Sequence, residues 1–186
     1  DLSYADMENN MNMPLAYRMS PESLDEYIGQ EHIIGKGKML RRMIEADRLS
    51  SVILFGPPGV GKTALSRLIA RTTSCKFVKL NAVSAGVGDI KKVVADALNP
   101  ILSEGKKTLL FIDEIHRFNK LQQDALLPYV EDGTVVLIGA TTENPFFEVN
   151  KALVSRSTVL KMEHLKESDI VRILRQSLEN KTRGYG

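Results

Sequence analysis

The sequence predicts an α/β fold, a parallel five-stranded sheet with helices on both faces. Three observations predict it. Short apolar runs alternate with helically patterned segments from Ser51 to Met162. One run, Thr108 to Ile112, reads as a continuous apolar strand buried on both faces, as strands of parallel sheets are. A glycine-rich turn, Gly56 to Thr63, falls between the first run and the helix that follows it.

The elements follow in order. Asp1 to Met13 is polar, Met- and Asn-rich and aperiodic, and is expected to be a disordered tail or a cloning remnant. The stretch Pro14 to Pro21 is a loop leading to a short helix, with Ser20 as N-cap and Pro21 at the first helical position. Leu40, Met43, Ile44 and Ala46 give helical spacing over Met39 to Leu49. Strands are then expected at Ser51–Phe55, Lys76–Leu80, Thr108–Ile112, Thr134–Ala140 and Thr158–Met162. Helices are expected at Gly61–Thr73, Asp89–Leu102, Lys120–Val130 and Asn150–Ser155, with Pro128 kinking or ending the third. Glu167 to Leu178 is amphipathic, with Ile170, Ile173, Leu174 and Leu178 on one side. No strand follows it, so it is expected to begin a second module that the chain does not finish.

Composition narrows the function classes. The 186 residues are 43% hydrophobic and 26% charged, enough for one α/β core. A net charge of +2 makes no global electrostatic case for nucleic acid, so any basic surface is local. The single Cys75 excludes an internal disulfide and reads as an ordinary buried thiol. No apolar run is long enough to span a membrane, and the N-terminus lacks the regions of a signal peptide. A cytosolic protein without membrane partners is expected.

The chemistry concentrates in three places. Gly56-Pro57-Pro58-Gly59-Val60-Gly61-Lys62-Thr63, with Ala64 next, fits the Walker A pattern. Its glycines let backbone N–H groups approach phosphate oxygens, and the following helix presents its positive end to the same anion. Lys62 then reaches the β- and γ-phosphates of ATP, and the Thr63 hydroxyl ligates Mg²⁺. The apolar run Leu109-Leu110-Phe111-Ile112 delivers Asp113 and Glu114 at its end. Asp113 suits the Mg²⁺ partner and Glu114 the base that polarises the attacking water. A third strand ends in Thr141-Thr142-Glu143-Asn144-Pro145, where Thr142, with Asn144 in reserve, would lie between the two motifs and orient that water.

Taken with Ser155-Arg156-Ser157, these motifs resemble an AAA+ P-loop ATPase of the clamp-loader branch. Pro14-Leu15-Ala16-Tyr17-Arg18-Met19, Ile28-Gly29-Gln30-Glu31-His32, the stretch Asp113 to Lys120, Gln122 to Pro128 and Gly139 to Pro145 are similar to the RarA/MgsA family, relatives of the Werner-interacting ATPase. The Walker motifs are generic, whereas Glu-Ile-His-Arg-Phe-Asn-Lys and Thr-Thr-Glu-Asn-Pro are much more specific. The resemblance spans almost all of Pro14 to Glu163.

The resemblance implies an ATPase, ATP/ADP and Mg²⁺ as cofactors, and action on DNA at stalled replication forks, in recombination and replication maintenance. It implies that Tyr17, Arg18, Ile28 and Gly29 pack on the adenine. It also implies that Arg156 acts as a finger on a neighbouring subunit's γ-phosphate, the alternative being a surface salt bridge. Asn81 matches a polar residue that holds the catalytic Glu in an inactive pose. Fork, gapped or single-stranded DNA is the implied partner, with Ser84 to Gly88, Lys91 and Lys92 as candidate contacts against the alternative of a solvated helix. The implied layout is a nucleotide-binding core over residues 14–163 and the first part of a helical lid over 164–186. The rest of the lid and a C-terminal homo-oligomerisation domain would lie beyond Gly186, so this chain alone is expected to be largely monomeric and a poor ATPase. The alternatives are an ATP-switched scaffold that recruits replication proteins, or a clamp-loader or Holliday-junction-motor subunit.

Overall fold

A computed structural model describes residues 21–179. The tail Asp1 to Met13, Tyr17, Arg18 and the proposed cap Ser20 lie outside the described residues. Contacts divide the chain into two units at Gly29/Gln30 and at His164/Leu165. Residues 21–29 group with the helix that follows Leu165.

The unit from Gln30 to His164 holds the sheet. Its strands are β1 (Val52–Phe55), β2 (Lys76–Asn81), β3 (Thr108–Asp113), β4 (Val135–Thr141) and β5 (Thr158–Lys161). All pair in parallel, in the order β2-β3-β4-β1-β5. The interior strands β3 and β4 are buried almost throughout, as their unbroken apolar runs require. At the sheet edge, β2 exposes Lys76 and Lys79, charges that discourage further strand pairing.

The helices of this unit are α1 (Glu31–Ile34), α2 (Met39–Glu45), α3 (Lys62–Thr72), α4 (Val87–Leu98), α5 (Lys120–Glu131), α6 (Pro145–Glu148) and α7 (Lys151–Ser155). Alternation along β3 sends Leu110 and Ile112 to one face, where they join Ile90 and Val93 of α4 and Leu126 of α5. The opposite face carries Phe111, stacked on Phe77 at 6.1 Å between ring centres. Arg67 of α3 lies over the Phe77 ring at 4.5 Å, which places α3 on that second face. Both faces are thus covered.

Several boundaries differ from expectation for local reasons. The α4 helix ends at Leu98 and not at Leu102, because Asn99 precedes Pro100 and takes an extended conformation (φ −85°, ψ 116°). It also starts two residues early, at Val87. The α2 helix stops at Glu45, where Asp47 adopts φ 52° and the Arg48 N–H closes onto the Met43 carbonyl at 2.9 Å. Pro128 does not end α5, which runs through it to Glu131 without the bond that a residue 128 N–H would have donated. Pro21 is not helical, and the first turn is a 3₁₀ turn, Leu24–Glu26, capped by Ser23. Cys75 is half-buried in the turn between α3 and β2, where its sulfur accepts the Thr73 hydroxyl at 3.3 Å; it is not a core thiol.

In the second unit, α8 (Glu167–Glu179) is amphipathic as expected, but Ile170, Leu174 and Leu178 stay exposed. Gly29 has φ 92°, and a Cβ there would come within 2.5 Å of Leu165 Cδ2.

One glycine inside the sheet makes room for the residue after Glu114. A Cβ on Gly139 of β4 would lie 2.9 Å from Ile115 Cγ1 and 3.1 Å from Ile115 Cβ. Ile115 is itself buried, so it cannot swing away. Gly139→Ala should cost about 1–3 kcal/mol through overpacking, read as a lower denaturation midpoint. Gly88→Ala, in α4 where an added Cβ meets nothing, should hold or raise the midpoint. Equal midpoints for both variants would contradict this packing account.

Candidate functional site

The site begins where β1 ends. Beyond Phe55, the Gly56 N–H donates to the Thr141 carbonyl at 3.1 Å, tying the loop to β4. A Cβ on Gly56 would run into the Met162 backbone carbonyl, so only glycine fits. Gly59 and Gly61 have φ 80° and 93°, the left-handed values that turn successive N–H groups toward one concavity. The α3 helix starts at Lys62, and the N–H groups of its first turn face the same space.

Lys62 folds back over this loop. Its Nζ donates to the carbonyls of Gly56 and Pro57, both at 2.8 Å. Burial pushes its pKa below the ordinary lysine value, and the nearby Asp113 carboxylate partly opposes that. Thr63 behaves unlike the other hydroxyls of α3. Ser66 and Thr72 donate to carbonyls one turn back, at 2.8 Å each. The Thr63 hydroxyl has no hydrogen-bond partner among the described residues.

The carboxylates come from β3. Asp113 Oδ1 accepts the Glu114 N–H at 2.9 Å. Glu114 has φ 54°, a left-handed conformation that costs a non-glycine residue about 1 kcal/mol or more. A 3₁₀ turn, Ile115–Arg117, follows at once, and the Arg117 N–H closes onto the Glu114 carbonyl at 2.8 Å. Ile115 rests on Gly139 of β4.

Strand order brings these parts together. Because β4 lies between β1 and β3, Thr141 and Thr142 emerge between the phosphate loop and the carboxylates. A cavity of about 510 Å³ is lined by Lys62, Thr63, Asp113, Glu114, Thr141 and Thr142, with Pro58, Gly59, Gly61 and Ala64 along the loop. Gly56, Pro57 and Val60 do not line it; Gly56 and Val60 are buried beneath the loop, and Pro57 lends its carbonyl to Lys62.

Other expected residues stand apart. Asn144 caps α6, its Oδ1 accepting the Phe146 N–H at 3.0 Å, and does not line the cavity. Asn81 lies opposite Asp113 in the β2–β3 register. Its Oδ1 accepts the Val83 N–H at 2.9 Å, and it makes no hydrogen bond to Glu114 among the described residues. Arg156, at the end of α7, donates to Glu131 Oε1 at 2.8 Å and to the Ala152 carbonyl at 2.9 Å. Ile28 and Gly29 belong to the second unit, and Tyr17 and Arg18 are outside the described residues. At the expected DNA loop, Asp89 already caps the start of α4, its carboxylate accepting the Gly86 N–H at 2.8 Å. Lys92 pairs with Asp96 at 3.0 Å, so two acids offset the basic character read from the sequence.

The donor set fits Mg²⁺ held jointly with a nucleotide. Thr63 and Asp113 offer hard oxygen donors beside a phosphate-binding loop. Among the described residues no cluster of three or more His, Cys, Asp or Glu is present.

Sequence reasoning missed three contributors. Gly139 was visible as a glycine inside an apolar strand, a mark of close approach. Gln122 is buried and donates to the Ala82 and Ala85 carbonyls at 2.9 and 2.7 Å, holding the loop after β2. The Asn119–Gln122 spacing was a readable capping box. The third, His116, meets Thr141 Oγ1 at 2.8 Å, and nothing in local spacing announces that pairing.

Comparison with known proteins identifies the family. The family model for the ATPase family associated with various cellular activities (AAA) matches residues 52–165. The chain is 51% identical over 181 residues to replication-associated recombination protein A of Escherichia coli K12, covering 97% of this chain and 40% of that protein. It is 48% identical over 166 residues to the ATPase WRNIP1 of Dictyostelium discoideum, covering 89% of this chain and 19% of that protein. Among solved structures, the RuvB Holliday junction branch migration motor of Thermotoga maritima superposes with a TM-score of 0.70 at 29% identity, over 87% of this chain and 54% of that one. The chain thus spans about 40% of the length of replication-associated recombination protein A of Escherichia coli K12. No helix among the described residues is long and apolar enough to cross a membrane.

Lys62→Ala should remove tight binding of ATP with Mg²⁺ while leaving the fold intact, because it deletes the cation at the phosphate loop. Calorimetric titration reads it directly. Unchanged affinity would mean that Lys62 does not face the phosphates.

Proposed function

The chain belongs to the ATPase family associated with various cellular activities, and we propose that it is the ATP-hydrolysing core of a protein that acts on DNA at stalled replication forks. The observation that carries the reading is convergence. Lys62, Thr63, Asp113, Glu114 and Thr142 come from three strand ends and line one cavity. The choice within the family rests on likeness: 51% identity to replication-associated recombination protein A against 29% to the RuvB motor.

The reaction follows from placement. The N–H groups of the loop and of the first turn of α3 hold the β- and γ-phosphates. Lys62 leaves the Gly56 and Pro57 carbonyls for phosphate oxygens, which restore a full charge partner to its ammonium. Thr63 and Asp113 would hold Mg²⁺, which would draw charge from the phosphate oxygens. Thr142 orients a water in line with the bond to be broken. Glu114 takes that water's proton as its oxygen bonds to the γ-phosphorus, and the bond to the ADP oxygen breaks. The products are ADP and phosphate.

Arg156 serves a neighbour's site and not its own. Its ion pair with Glu131 is exposed on both sides, so it is weak and readily exchanged for a phosphate. A planar cation there spreads over charge developing on the phosphoryl oxygens. This requires a homo-oligomer, with DNA and replication proteins as partners of the full-length protein.

In full-length protein, Glu114→Gln should keep ATP affinity and lower turnover by about 10²-fold or more, since the amide keeps the shape but cannot act as base. Arg156→Ala should lower it by about 10³-fold or more. Mixing the two inactive variants should restore part of the activity, because one supplies the base and the other the finger. No recovery on mixing, or wild-type turnover by Arg156→Ala, would leave Arg156 as a surface salt bridge. Turnover measured against fork, gapped, blunt-ended and single-stranded DNA tests the substrate: stimulation by forks or gaps is expected, and indifference to all four would contradict a DNA-acting role.

A further inference from the structure

The carboxylate Glu114 and the hydroxyl Thr142 sit on different elements, and catalysis needs them a fixed distance apart. Glu114 stands at a strained φ of 54° between the end of β3 and the turn Ile115–Arg117. Such a conformation persists only where its surroundings hold it. Two successive residues of the turn fasten it to β4. Ile115 lies on Gly139, and His116 Nδ1 shares a hydrogen bond of 2.8 Å with Thr141 Oγ1. Residues 139 and 141 point to the same face of the strand, so the two contacts run side by side.

Thr141 is well placed to carry this load. It is 2% exposed and is the last residue of β4, immediately before Thr142. Its Oγ1 also accepts the Glu143 N–H at 2.9 Å, which fixes the path of the chain through Thr142. One hydroxyl thus ties the turn after Glu114 to the segment carrying Thr142. Neither His116 nor Thr141 acts as base or metal ligand in the mechanism above.

We infer that His116 is a positioning residue for ATP hydrolysis: through Thr141 it fixes the spacing between Glu114 and Thr142. The inference rests on the ATPase reading above. Removing the bond frees the turn to relax from the left-handed conformation and moves Glu114 relative to the water held by Thr142. The phosphate loop, which binds ATP, is anchored elsewhere, through Gly56 to the Thr141 carbonyl and not to its hydroxyl. Turnover should therefore fall while ATP affinity holds.

The test uses full-length protein, with ATP turnover, ATP affinity and melting temperature measured for each variant. His116→Leu and Thr141→Val should each lower kcat by about 10- to 10²-fold, the loss expected from misplacing a catalytic group by about 1 Å. ATP affinity should stay within about 2-fold of wild type, because these changes leave the phosphate loop alone. His116→Asn, which keeps a polar atom near the Nδ1 position, and Thr141→Ser should both recover most of the turnover. The double variant His116→Leu with Thr141→Val should be no worse than either single change, as for two groups acting through one bond. Wild-type kcat in His116→Leu, equal losses in His116→Leu and His116→Asn, or additive losses in the double variant would each overturn the inference. A loss that tracks melting temperature and ATP affinity together would assign His116 to the fold alone and overturn it as well. A wild-type protein that binds ATP without turning it over would instead sink the ATPase reading, and this inference with it.

Discussion

Phe55 sits opposite Thr141, and Ile112 opposite Gly139, in the parallel pairing of β1 and β3 on either side of β4. That register is the constraint on which the site depends. Parallel strands finish at the same edge of a sheet, and loops there can converge without crossing. Here the three central strands deliver a phosphate loop, two carboxylates and a pair of threonines to one rim. A slip of one residue in β4 would turn Thr141 from His116 and set a side chain in place of Gly139 beneath Ile115. The bulk of the core, from Leu110 and Ile112 to Val135 and Leu137, therefore serves the site by fixing that register.

Against this rigid frame, the functional groups carry local strain and weak commitments. Glu114 holds a left-handed backbone, and Gly59 and Gly61 take conformations other residues avoid. Lys62 is satisfied by two carbonyls of its own loop, contacts that phosphate oxygens can replace. Arg156 is paired at the surface with Glu131, where exchange costs little. In the proposed reaction, the groups that change partners are thus held by replaceable contacts, while the backbone that positions them is held by packing.

Much of this was legible from sequence, and the reason differs by element. The interior strands were readable because parallel strands covered on both faces leave unbroken apolar runs, as in Leu109 to Ile112. The phosphate loop was readable because its glycines answer to backbone conformation, a local property. What was hidden depends on contacts between distant segments. His116 and Thr141 are 25 residues apart, and no periodicity links them. The Glu131 partner of Arg156 is equally remote in sequence. Helix ends were misjudged where a single residue overrode the pattern, as at Asn99 before Pro100 and at Asp47 with its positive φ. Pro128 erred the other way: the helix passes through it to Glu131, because the neighbouring bonds and packing outweigh the one N–H that proline lacks.

On this geometry the three strand ends build one nucleotide and metal site. The most direct measurement is a crystal structure of the protein with ADP, Mg²⁺ and a fluoride mimic of the γ-phosphate. The metal should lie within about 2.1 Å of the Thr63 hydroxyl, the usual Mg²⁺–oxygen distance. Lys62 Nζ should be released from the Gly56 and Pro57 carbonyls onto the mimic, and Glu114 should face the mimic through a single water. A nucleotide bound away from the loop, or a Lys62 still bonded to its own carbonyls beneath a bound mimic, would contradict such a site.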